Sequence, residues 1–578
     1  MKIFIIYVLL FIVYITFLSS DAYAHGIVGY DYKISDNDCV KYERYVNIYK
    51  PNVYNEFIFV CGGDLNIKEL DVLLNNRTLL YEESDGVWVL NGTLSIASDV
   101  TVRLTSDDMK WLKIIDNEKQ NHIEVMGKLI IEGINVTSWD TNTNYYSILK
   151  SPREGRPHIL VINGLIEIRD SFIGYLGYDS ARSHGLSIYG GTNHILINST
   201  ITNNYFGLYT DNVNGMIIDN NMVYNNYVYG LDPHTFSRDI IITNNEVYNN
   251  GKHGIICSRD CYNIQIVNNT VYNNKGHGIM LDRDTYNSLI KSNIIINNDN
   301  GIKLFASYNN TIVDNTIVDN KDGIRLSTNS YSNYINGNTI KSSSYGIYIL
   351  DATHDIIIEN NTIDDSKIDF YIKDSNNIIT NNNIINKHFS MQLYNSTMET
   401  SDNQYTCPCT IYLYNSDLKH KDDNILNITY SIIESSIEVY DSHKRIYTNT
   451  MNLPIRISNS SNLIIATDKG KVGINREDII IHANNTIDLV YDKELNLIKI
   501  MNDKSTIISV ENIDNNYYIT DYVQKIDSTF TIKGDTTIYL NPIKDSSIIN
   551  RLLESRYLIL LILTLSGILS ALIIVKKR

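Results

Sequence analysis

The sequence predicts an all-β protein: a right-handed parallel β-helix solenoid, followed by a β-rich C-terminal region and a single C-terminal transmembrane helix. Three observations carry this expectation. Glycines at 185, 207, 230, 254, 278, 301, 323 and 346 recur every 22 to 24 residues, each followed by Ile or Leu. Asparagines 221, 245, 269, 293, 315, 338, 361 and 383 keep the same step. The segments between them, such as "IQIVNNTVYNN", are short β-branched runs broken by Asn. A fixed period in the low twenties marks a solenoid. The competing leucine-rich repeat would need more leucine and a helical apolar spacing, so strands are favoured. Handedness follows from the preference for right-handed crossovers, and the Asn side chains are expected to bond along the stack at the bends.

Residues 1–24 read as a signal peptide, an apolar run ending in Ala22-Tyr23-Ala24. Residues 25–130 form an N-terminal cap with irregular coils, since a solenoid must cover its open end. Residues 131–390 are the β-helix, and 391–550 a Tyr-rich β region in which the period fades. Residues 556–575 are apolar enough to cross a hydrocarbon core of roughly 30 Å, and Lys576, Lys577 and Arg578 hold the tail on the cytoplasmic side. The body is thereby expected outside the cell as a monomer, anchored to the membrane. Six cysteines in that setting pair most simply by proximity: Cys39 with Cys61, Cys257 with Cys261, Cys407 with Cys409. The sequons at Asn268, Asn309, Asn360 and Asn484 are either glycosylation sites or by-products of the Asn ladder.

A net charge of −16 argues against a nucleic-acid partner. It does not exclude a polyanion held by local cations, because the long-range field is screened beyond about 8 Å at physiological salt. Counting from each repeat glycine, positions +1 and +3 are mostly Ile, Leu or Val and point inward, so strand alternation sends +2 and +4 outward. In the turn "YGLDPHTFSRD" those outward positions are Asp232 and His234. Arg259 and Arg283 follow at +5 of the next two turns, where the strand is taken to have ended, with Asp282 at +4 and Lys303 and Arg325 at +2. His184, Phe206, Tyr229, His253 and His277 precede their glycines, and Lys252 precedes His253. Pro233 removes a ladder N–H from a central strand, a broken local rule that points to a functional site. An elongated strip of imidazole, aromatic and cationic groups suits a polyuronate. Abstracting its C5 proton calls for a base such as His and for cations beside the carboxylate.

"YGLDPHTFSRD", "KHGIICSRD" and "GIMLDRDTYNSL", preceded in order by "GVWVLNGTL", "VTSWD", "GRPHI" and "SFIGYLGYDS", resemble the periplasmic mannuronan C5-epimerases, from about residue 85 to 350. The resemblance implies a β-helix enzyme that converts β-D-mannuronate to α-L-guluronate within alginate. It assigns His234 as the base, Asp232 as a positioning acid, and Arg259, through water, or Tyr229 as the proton donor on the opposite face. Substrate contacts fall to Lys252, His253, His277, Asp282, Arg283, Lys303 and Arg156. The family's second Asp after the His is here Thr235. No metal or other cofactor is expected, since acidic nonapeptide calcium repeats are absent. A polyuronate lyase and a non-catalytic carbohydrate-binding surface protein remain alternatives.

Overall fold

The computed structural model describes residues 39–46, 53–117, 120–341, 343–381, 383–386 and 390–421, together with strands between 424 and 539. Both apolar terminal segments, the expected signal peptide and the expected membrane helix, lie outside the described residues. Among the described residues no helix is long and apolar enough to cross a membrane.

Each regular coil lays down three short strands. One coil consists of Met222–Tyr224, Leu231–His234 and Arg238–Thr243; the next of Glu246–Tyr248, Ile255–Ser258 and Gln265–Val267. Every strand pairs in parallel with its counterpart one coil later, as Val223 does with Val247 and Ile241 with Gln265. The inward residues of successive coils therefore lie over one another, and one apolar cluster runs from Ile58 to Leu418 and beyond.

The bends are held by amide ladders. Asn269 Nδ2 donates to Asn293 Oδ1 at 3.0 Å and to the Ile242 carbonyl at 2.9 Å, while its Oδ1 accepts from the Asn245 backbone N–H at 2.9 Å. The expected series from Asn221 to Asn383 is joined by a second, Asn226, Asn250, Asn274, Asn298 and Asn320, at the following bend. These side chains satisfy buried backbone groups that no strand partner reaches. The repeat glycines are explained by close approach: a Cβ on Gly254 would sit 2.8 Å from the Gly278 carbonyl and 2.6 Å from Val271 Cγ1.

Three expectations are corrected. First, parallel pairing does not stop at residue 390. It continues through Thr397–Ser401, Asp417–Lys421, Ser436–Tyr440 and Leu453–Ser458. The register steps there shorten to 20, 19 and 18 residues (Thr397 to Asp417, Asp417 to Ser436, Ile437 to Ile455). The coil contracts and the period drifts, so the repeat of 22 to 24 is no longer visible in the sequence. Antiparallel pairings follow, beginning with Leu453–Ser458 against Ile487–Asp492.

Second, residues 67–74 are helical. Asn66 caps Ile67–Leu74, accepting from the Lys68 and Glu69 N–H groups, and Glu69 returns a bond to the Asn66 N–H. Ile67 and Leu70 enter the core. The capping signal lay in the sequence as Asn66 followed three residues later by Glu69.

Third, Cys257 and Cys261 are free thiols, whereas the Cys39–Cys61 disulfide is present. Cys257 points into the core and Cys261 Sγ donates to the Ser258 carbonyl. The side chains of Cys407 and Cys409 lie outside the described residues. Burial raises the thiol pKa at both Cys257 and Cys261, and thiolate is the reactive form. An alkylating reagent at neutral pH is expected to leave both unlabelled in the native protein and to label them on unfolding. Peptide mapping showing native labelling at either position would contradict their burial.

Candidate active site

The strands Phe206–Asp211, Leu231–His234, Ile255–Ser258, Ile279–Asp282 and Asn300–Phe305 stack side by side on one face. Their outward positions make three rows along the solenoid axis. Before the glycines run Phe206, Tyr229, His253 and His277. At +2 run Tyr209, Asp232, Ile256, Met280 and Lys303, and at +4 Asp211, His234, Ser258 and Asp282. Between them lies a groove of about 360 Å³.

Tyr229, Asp232, His234, Lys252, His253, Asp282 and Arg283 all line this groove, with His184, Phe206 and Tyr209 closing one end. His277 and Lys303 extend it by one coil. Lys303 Nζ lies 3.3 Å from His277 Nε2, and His277 stacks on His253 at 4.5 Å.

Two assigned residues do not line it. Arg259 is exposed on the rim, in the left-handed region at φ 60°, as are Arg283 at 42° and Thr235 at 34°. The strand has indeed ended at +5, and of the two arginines only Arg283 lines the groove. Arg156 is 2% exposed and donates to the carbonyls of Ser147, Leu176, Gly177 and Asn203. It is a structural clamp for the 147–157 loop, with its donors consumed, and the expectation of a substrate contact is withdrawn.

Asp232 also departs from expectation. Alternation turns it away from the core, yet it is 1% exposed, because the taller side chains of the adjoining rows stand over it. It forms the groove floor, and its Oδ1 has no partner. Burial, and then the Asp282 charge, raise its pKa well above the usual carboxylate range. Burial of this kind favours the protonated form over the carboxylate.

His234 Nδ1 lies 2.5 Å from Thr235 Oγ1 and 3.4 Å from the Tyr209 hydroxyl. Thr235 thus offers the ring a group that can accept or donate a hydrogen bond. Tyr209 was not anticipated, although its +2 offset from Gly207 equals that of Asp232 from Gly230. Burial, followed by the charges of Arg259 and Arg283 and the neighbouring His184, lowers the His234 pKa to about 4. Burial likewise lowers His184 to about 4, His253 to about 2 and His277 to about 4. These imidazoles are neutral at pH 7. The 3.4 Å contact of His277 Nδ1 with Asp299 is therefore a dipolar contact rather than a charged pair.

Lys252 Nζ donates to the Tyr229 hydroxyl oxygen at 3.0 Å, which leaves the phenolic proton free to point elsewhere. Asp282 holds Arg283 through Nε at 2.8 Å. The groove thus combines an uncharged imidazole, a buried carboxyl on its floor, and cations oriented on its wall.

Residues 160–285 and 236–363 match the family described as a right handed beta helix region. Over 197 residues the chain is 28% identical to a mannuronan C5-epimerase of Pseudomonas fluorescens, covering 32% of this chain and 36% of that protein. Over 190 residues it is 31% identical to a mannuronan C5-epimerase of Pseudomonas putida, covering 31% and 36%. The chain spans 36% of the length of these two curated relatives. A crystal structure of a mutant periplasmic alginate epimerase AlgG superposes with a TM-score of 0.52 at 23% identity, covering 63% of this chain and 95% of that one; this likeness concerns the fold. Fold and site together define a right-handed β-helix protein with an imidazole-lined, cation-walled groove. By the shared stretch the chain is related to the mannuronan C5-epimerases.

Proposed function

We propose that this protein is an exported C5-epimerase of a uronate polymer, polymannuronate or a close analogue, and that His234 is its base. The observation that carries the proposal is a neutral His234 lining a groove that Lys252 and Arg283 flank with positive charge. Export accords with the Cys39–Cys61 disulfide, since such bonds persist in oxidising compartments.

The step balances simply. His234 takes the C5 proton, and the electron pair left behind spreads into the uronate carboxylate as an enolate-like dianion. Arg283 and Lys252 oppose that charge, and Asp232, when protonated, donates a hydrogen bond to one oxygen. A proton delivered to the other face of C5 inverts the centre. Tyr229 lines the groove and Arg259 does not, which favours the Tyr229 phenol as the donor. Lys252, bonded to its oxygen, stabilises the phenolate left after transfer. Arg259 acts on this scheme through its charge, by holding His234 neutral.

Incubation of the protein with polymannuronate in heavy water, followed by proton NMR, tests the proposal. Deuterium at C5 with new guluronate signals is expected. Unsaturated chain ends would show that the C4–O bond breaks instead, a lyase. An unchanged polymer across several polyuronates would remove both enzyme readings.

The pH profile is a second test. A base must be deprotonated to act, so kcat/KM should fall on the acid side through an apparent pKa near 4, not near the usual imidazole value of about 6.5. Arg259→Gln removes one of the charges that favour the neutral ring, so the acid limb should move to higher pH. A limb that stays in place would take Arg259 out of the environment of His234.

A further inference from the structure

The outward rows of the groove continue past it toward the C-terminus, over coils that the catalytic reading does not use. In register with Met280 at +2 come Lys303, Arg325, Tyr348, Tyr371, Gln392 and Tyr412. In register with Asp282 at +4 come Phe305, Ser327, Leu350, Lys373, Tyr394 and Tyr414. From the His234 coil to the Tyr412 coil is eight steps, which at ~4.8 Å per parallel strand makes a path of about 38 Å.

These aromatics differ from a ladder that merely staples coils together. At a corner of the same solenoid, Tyr262, Tyr286, Tyr308, Tyr331 and His354 stack face to face, with interplanar angles of 2° to 17°. Their faces are consumed by one another. In the +2 and +4 rows beyond the groove the rings are turned: Tyr348 meets Tyr371 at 81°, Tyr371 meets Tyr394 at 34°, and Tyr394 meets Tyr414 at 38°. Tyr412 and Tyr414 remain 42% and 44% exposed. Cations alternate with the rings. Arg325 lies 4.5 Å over Tyr348, tied to the buried Asp322, and the Lys373 side chain is half exposed. In a chain of net charge −16, Arg325 and Lys373 punctuate this strip of tyrosines, each beside a carboxylate, Asp322 and Asp374.

We propose that Arg325, Tyr348, Tyr371, Lys373, Tyr394 and Tyr412 form a non-catalytic track that holds the continuing length of an anionic sugar polymer whose reacting residue sits at His234. The occupant is argued from continuity with the groove, from the axial direction of the rows, and from the exposed rings along them. Tilted aromatic faces pack against the apolar faces of sugar rings, and the cations meet carboxylates. The proposal rests on the polyuronate reading of the groove and adds that affinity grows with chain length. Tyr371, Lys373, Tyr394 and Tyr412 lie beyond residue 363, where the match to the β-helix family ends.

The test is equilibrium binding of the full chain, read without turnover. One ligand is a short mannuronate oligomer that spans only the His234 groove, the other a long polymannuronate. The long chain is expected to bind roughly tenfold tighter. The Tyr371→Ala/Tyr412→Ala double variant should lose that advantage while binding the short oligomer as before, and Tyr371→Phe/Tyr412→Phe, which keeps the rings, should retain it. The proposal is overturned if long and short chains bind alike, or if the Ala variant leaves long-chain affinity unchanged or weakens both ligands equally. Failure of C5 exchange in the wild type would refute the epimerase reading alone, because the length dependence is measured by binding.

Discussion

His234→Gln is expected to lower kcat on polymannuronate by about 10³-fold with little change in KM or in thermal unfolding. Glutamine can keep a hydrogen-bonding group near Thr235 and Tyr209, which face the imidazole at 2.5 and 3.4 Å, but it cannot hold a proton at neutral pH. Only the proton-transfer step should suffer. Solvent deuterium exchange at C5, measured alongside guluronate formation, distinguishes the base from a residue that merely positions the sugar: both signals should vanish together. Exchange at the wild-type rate in this variant would place the base on another side chain. The setting explains why His234 is suited to the task. It is half-buried in a wall of other neutral imidazoles and lies near two arginines, so its charged form is disfavoured. Its Nδ1 faces hydroxyls rather than a carboxylate, so no anion offsets that bias.

The second large effect is on stability. Asn269→Leu is expected to cost about 4 kcal/mol, because it orphans several buried backbone and amide groups at about 1–3 kcal/mol each. Asn269 serves the Ile242 carbonyl, the Asn245 N–H and the amides of Asn245 and Asn293 at once. Its neighbour Asn268 is exposed, with φ at 57°, and Asn268→Gly should be close to neutral because glycine adopts that conformation freely. Thermal or urea unfolding of the two variants side by side measures the difference. Equal effects would mean that the ladder does not carry the bends. Since each coil touches only its neighbours, the damage should concentrate around residues 245–293, and hydrogen exchange should locate it there.

Much of this molecule is legible from spacing. The glycine and asparagine periods announce the solenoid because a repeat of identical coils must put the same steric and hydrogen-bonding demand at the same place each time. Gly254 under Gly278 and Asn269 over Asn293 are two instances. Alternation from the glycine turns Asp232, His234 and Asp282 outward, and in the structure these line one groove together with Tyr229, Lys252, His253 and Arg283. Where the period drifts, the same arithmetic fails. Past residue 390 the coils shorten, and parallel strands continue where the sequence suggested another region.

Other misses arise because neither alternation, nor resemblance, nor nearness in the chain reports depth and partners. Asp232 points away from the core, yet it is covered by its neighbours in adjoining rows, and burial raises its pKa. Arg156 lies in a block that resembles a known family, yet its guanidinium is spent on four carbonyls. Cys257 and Cys261 are four residues apart, but one faces the core and the other bonds the Ser258 carbonyl across the turn, and no bridge forms.

By itself the sequence determined the solenoid and the strip of imidazoles and cations, since these depend on which residue stands at which offset of a repeat. Only the tertiary structure decided which members of the strip are buried, neutral or committed to other partners. Proton affinity depends on desolvation and on charges brought near by other coils, and neither is a property of the local chain.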